Sequence, residues 1–169
     1  LPHDKLLGKK RDEWDLGTRE PAAFASMTKL LEYYSWLGGH FSESEEPRKK
    51  ILAAMEAIEC HEHALVSLLL HGSDDLPGLL STQNLTVLGQ TERLDNHESI
   101  ISFTYEGKSS QEIVAYFNKN GIRLHNRISN AYSKHILDAF GIDECVRLSL
   151  CHYNSEEEVT QFLALLKEM

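Results

Sequence analysis

A chain of 169 residues, 41% of them hydrophobic and 25% charged, has the size and make-up of one full domain, or of a domain with an appended segment, that folds and stays in water. Seventeen basic against 26 acidic residues leave a net charge of −9, which sets nucleic acid aside as a partner, because a phosphate backbone calls for a basic face. No stretch is apolar for long enough to span a bilayer, and the opening "LPHDKLLGKKRDEWD" lacks the basic-then-apolar order of a secretion signal, so no membrane partner and a cytoplasmic location are expected.

Residue 1 is Leu rather than Met, and residues 1–15 hold few apolar groups in periodic order, which raises the expectation of a C-terminal piece of a longer protein. From Pro21 to Leu37, Phe24, Met27, Leu30, Leu31 and Tyr34 recur at helical spacing, with Thr18 where an N-cap belongs and Gly38-Gly39 as a stop. A longer helix opens near Ser44, with Glu45 and Glu46 at its positive end, and carries Ile51, Met55, Ile58, Leu65 and Leu69 to His71-Gly72. Residues 73–98 are mixed, with Pro77-Gly78 as a turn and Thr86–Leu88 as a short strand candidate.

After residue 98 the rhythm becomes β-α-β-α-β-α. "SIISFTYEG" reads as a strand, and Ser109 with Glu112 forms a capping box that opens a helix running to Asn120-Gly121. "IRLHN" is the next strand, followed by a short helix around Ser133–Phe140, a strand at 145–151 and a last helix capped by Ser155 with Glu158. Val159, Phe162, Leu163 and Leu166 give that helix one apolar stripe. This order predicts an α+β (α/β layer) fold, a small sheet covered by helices on one face, with a boundary near Gly38–Ser44.

Alternation in the strand at 145–151 puts Val146, Leu148 and Leu150 on one face and Arg147, Ser149, Cys151 and Tyr153 on the other. A guanidinium there wants an anion, because burying it without one is costly. Two readings stand: an ion pair with a carboxylate of this chain, or a two-pronged clamp on a substrate carboxylate. Gly17-Thr18 at a helix start likewise reads as a plain cap or as an anion site of free N–H groups and a hydroxyl.

"ECHEH" at 59–63 sets Cys60 three residues before His63, yet His61 points elsewhere and no second ligand pair follows, so no metal is expected. Cys60, Cys145 and Cys151 are odd in number and follow no paired spacing, which predicts reduced thiols, with Cys145 and Cys151 small and buried. No residue pattern here performs a reaction alone, and no catalytic residue is assigned.

"GTREPAAFASMTKLLEYYSWLG" together with "NGIRLHNRISNAYSKHILDAFGIDECVRLSLCHYNSEEEVTQFLALL" resembles the C-terminal part of class V aminotransferases, fold-type I pyridoxal-phosphate enzymes, and within them the cysteine desulfurase-like branch. The resemblance covers about residues 14–169, and "VRLSLCHYNSEEEV" is its most specific stretch. It implies that residues 1–40 are the tail of the large cofactor-binding domain with the interdomain helix, and that 41–169 are the C-terminal small domain. It implies pyridoxal phosphate as cofactor, not bound covalently to this chain, a small amino acid as substrate held by Arg147, and a homodimer in which Gly17 and Thr18 reach the neighbouring subunit's cofactor phosphate.

The departures from the family are as informative. Pro21 comes three residues after Thr18 instead of at once. The loop that carries a nucleophilic Cys in desulfurases reads "HNRISNAYSKH" and holds none, which argues against sulfur transfer by that route unless Cys145 or Cys151 substitutes. The Schiff-base lysine, the aspartate on the pyridine nitrogen and the ring-stacking histidine have no counterpart in this chain. The expectation is therefore an inactive fragment of an enzyme; the alternative is a non-catalytic α/β module that binds a partner or dimerises.

Overall fold

A computed structural model describes residues 21–91 and 98–169. Backbone contacts divide the chain into two compact units, one ending at Ala57 and one running Ile58–Met169.

The first unit holds α1 (Pro21–Gly38) and the opening turns of α2 (Pro47–His71). Proline suits the first turn of both helices, where its missing N–H would have had no intrahelical partner. The periodic apolar residues of α1 do form a helix, yet Phe24, Met27, Leu30 and Leu31 are exposed. Salt bridges Lys29–Glu32 at 2.6 Å and Lys49–Glu46 at 3.0 Å lie at the solvent side and contribute little.

The second unit is built on a four-stranded sheet of order β1-β2-β4-β3, with β1 at Leu85–Leu88, β2 at Ile100–Tyr105, β3 at His125–Ile128 and β4 at Glu144–Ser149. Every pairing is antiparallel. Its helices are α3 (Ser110–Lys119), the short α4 (Lys134–Phe140) and α5 (Glu156–Glu168). The α+β architecture read from the sequence is the one observed.

Period-two alternation sorts β2 and β4 into two faces. Ile101, Phe103, Val146 and Leu148 point to one side, where Ile113 and Phe117 of α3 and Val159, Phe162, Leu163 and Leu166 of α5 bury against them. Leu65, Val66, Leu69 and Leu70 from the second half of α2 close the same core. Each fully buried Leu or Phe stabilises the fold by about 1.5–3 kcal/mol, so this face accounts for most of the unit's cohesion.

Local chemistry sets the helix ends. Ser109 accepts from the Glu112 backbone N–H while the Glu112 carboxylate accepts from the Ser109 N–H at 2.8 Å, and Ser155 with Glu158 repeats the arrangement at α5. At the other end of α3, Gly121 (φ +83) turns left-handed, so that Ile122 N–H donates to Phe117 O at 2.9 Å and Gly121 N–H to Asn118 O at 3.1 Å. Gly141 (φ +67) ends α4 by the same two bonds. Ile122 is thereby spent on closing α3, which is why β3 starts at His125 and not at the start of "IRLHN".

Candidate functional site

The second face of the sheet carries the polar chemistry. Antiparallel register aligns Leu88, Ser102, Arg147 and His125 in one row across the four strands, and Cys145 with Arg127 in the next. Residues paired directly across a sheet share a face. Two arginines from neighbouring strands therefore lie on the same side, two residue positions apart along the ladder.

Together with Ile136, Leu137 and Phe140 of α4, these side chains line a cavity of about 310 Å³. Its lining includes both Arg127 and Arg147 and, among the described residues, no aspartate or glutamate. Arg147 is half-buried, and its Nε is fully buried with no hydrogen-bond partner among the described residues. Neither arginine has an ion pair among the described residues, where the salt bridges all use lysines. A buried guanidinium N–H without an acceptor is costly, and a bound carboxylate would supply what the fold leaves out.

Cys145 lines the same cavity and is 4% exposed. Burial holds its thiol above the usual range, opposed in part by the Arg127 charge and by a hydrogen bond with Ser102. A thiol so placed is a poor nucleophile.

The remaining sequence candidates lie apart. Gly17 and Thr18 fall outside the described residues. Cys151, Tyr153 and Asn154 follow β4, with Tyr153 exposed. Asn154 serves structure: its Oδ1 accepts from the Cys151 N–H at 2.8 Å and its Nδ2 donates to Glu158 at 3.0 Å, tying the turn to the α5 cap. In "ECHEH", Cys60 is exposed, Glu62 accepts from the Ser99 hydroxyl and His61 Nε2 lies 2.9 Å from the Asn154 carbonyl. Among the described residues no group of three possible ligands could hold a metal ion.

Sequence reasoning missed Arg127. Its signal was present: His125 and Arg127 are two apart in "HNRI", so one strand places both on one face, but the face could not be matched to that of Arg147 until the pairing was known.

Residues 9–162 match the family Aminotransferase class-V. A cysteine desulfurase of Synechococcus elongatus is 30% identical over 159 residues, covering 92% of this chain and 21% of the relative. An aminotransferase-like protein of Gibberella zeae is 36% identical over 117 residues, covering 66% of this chain and 27% of its own length. Among solved structures, the apo cysteine desulfurase of Thermococcus onnurineus NA1 superposes with a TM-score of 0.58 at 26% identity, over 72% of this chain and 28% of that one. The chain thus spans between about a fifth and somewhat over a quarter of the length of these relatives.

Proposed function

Since the chain belongs to the class-V aminotransferase family, whose members depend on pyridoxal phosphate, we propose that it is the small-domain part of a cysteine desulfurase-like enzyme acting on a small amino acid. Its own contribution is Arg147, which clamps the substrate carboxylate. The observation that carries this reading is the buried, unpartnered Nε of Arg147 beside a cavity lined by no acid among the described residues.

The donor set suits an anion. Arg147 offers a fixed fork to one carboxylate, while Ile100 and Phe140, each about half exposed, give the same space part of an apolar wall. When bound, the cofactor supplies an electron sink for the amino acid's α-carbon. Gly17 and Thr18 are the residues of this chain proposed to contact its phosphate, in the partner subunit of a homodimer. The contacts to its ring are proposed to lie outside the residues that line this cavity.

Transamination or elimination fits the thiols better than sulfur relay does. The 129–133 segment "SNAYS" offers no Cys, and Cys145 is buried with its thiol held protonated. Such an enzyme would work in the cytoplasm; among the described residues no helix is long and apolar enough to cross a membrane.

The test is a substrate titration of the cofactor's absorbance in the full-length enzyme and its Arg147→Lys variant. Lysine keeps the charge but loses the fork, so substrate affinity should weaken by about 1–3 kcal/mol with cofactor binding unchanged. Equal substrate affinities would return Arg147 to a structural role.

A further inference from the structure

The carboxylate clamp uses one arginine, and the cavity has two. We propose that the cavity beneath α4 selects an acid bearing a second anionic group, that is, an amino acid with an acidic side chain, with Arg147 on one anion and Arg127 on the other. This rests on the reading of Arg147 as a carboxylate clamp and extends it to the substrate class.

The register carries the argument. Arg147 pairs across the sheet with His125, and Arg127 is two residues further along the same strand, paired with Cys145. That diagonal relation sets the two residues about 7–8 Å apart on one face, with their Cβ atoms somewhat closer, within reach of the two ends of a single small molecule for side chains as long as arginine. Both guanidinium groups are permanently charged, and both are only partly exposed. In a chain of net charge −9, an acid would be easy to supply as a structural partner for either. None lines the cavity and none pairs with Arg127 or Arg147 among the described residues.

Physical chemistry then separates the possible ligands. A monoanion neutralises one guanidinium and leaves the other without a counter-charge in a space bordered by Leu88, Ile100, Ile136 and Phe140. A dianion neutralises both. Charge-assisted bonds are the strong class, and a second one gained inside an apolar-walled cavity is worth more than the same bond on the surface. Ser102, between Leu88 and Arg147 in the row, adds a hydroxyl that can orient whichever carboxylate lies over the sheet.

The experiment uses this chain with two probes of four carbons each, succinate and butyrate, titrated by calorimetry at fixed ionic strength. Succinate should bind about tenfold or more tightly, and Arg127→Gln should bring it down to the level of butyrate. Arg147→Lys should weaken both acids. Equal binding of the two acids to the native chain, or a succinate preference that survives Arg127→Gln in a variant with native circular dichroism, overturns the proposal. If butyrate still binds and still responds to Arg147→Lys in that case, the clamp stands alone. If neither acid binds, clamp and second anion site fall together.

Discussion

The rings of Phe117 and Phe162 stack 4.6 Å apart at 17°, joining α3 to α5, and Phe103 of β2 meets Phe162 edge-on at 6.5 Å. Three elements thus converge on one side chain that is 2% exposed. Phe162→Ala should cost about 3–5 kcal/mol, from lost burial plus the cavity left between helices that cannot both collapse. Urea denaturation of the two proteins measures it. A loss under about 1 kcal/mol would mean that α3 and α5 do not share this core.

The capping boxes predict an acid-sensitive α3 and α5. Glu112 is held below the usual carboxylate range first by the Ser109 hydroxyl and then by the Ser109 N–H; Glu158 is held down by Asn154 and then by the Ser155 N–H. A depressed folded-state pKa means stability that is present above the ordinary carboxylate value of 4.5 and lost as pH falls below it. Amide exchange in residues 110–113 and 156–159 should therefore quicken as the pH drops through that range. Ser109→Ala, which also removes the hydroxyl bonded to the Glu112 carboxylate, should cost about 1 kcal/mol at neutral pH and less in acid. A cost independent of pH would show that the Glu112 carboxylate takes no part in the cap.

Thiol reactivity should rank by burial. Cys60 is exposed on α2, Cys151 is half-buried after β4, and Cys145 is buried with its thiol pushed up by desolvation. A disulfide reagent should modify Cys60 first and Cys145 last, the latter at the rate of unfolding, because the thiolate is the reacting form. Rapid modification of native Cys145 would reopen it as a nucleophile in the arginine cavity.

Local signals were legible in the sequence, and pairing was not. The two capping boxes depend on residues three apart, and the stripe Val159, Phe162, Leu163, Leu166 on one helical turn, so each can be read within a short window. Arg147 stood out because alternation alone put it opposite Val146 and Leu148. The order β1-β2-β4-β3 lets a late strand enter between two earlier ones, and no local pattern encodes that. Arg127 became visible as a neighbour of Arg147 only through this insertion. For α1, spacing predicted the helix but said nothing of what its apolar side meets, and Phe24 and Met27 are exposed.

Arg147 also permits a stability test that needs no cofactor. If it were placed for structure, its removal would leave a carboxylate of this chain unpaired and destabilise the fold. The observed state is the reverse: Nε is buried without a partner, and the second guanidinium of Arg127 lines the same cavity. Both features cost free energy in the unliganded protein, as groups kept for binding often do. Arg147→Met keeps the length and apolar stem while removing the charge, so it should hold or raise stability, by up to about 1–3 kcal/mol. In thermal unfolding that is a rise of a few degrees, about 2–4 °C per kcal/mol for a chain of this size. The same substitution should abolish carboxylate binding. A melting temperature lowered by several degrees would identify a carboxylate of this chain as the true partner of Arg147, and the clamp would have to be given up.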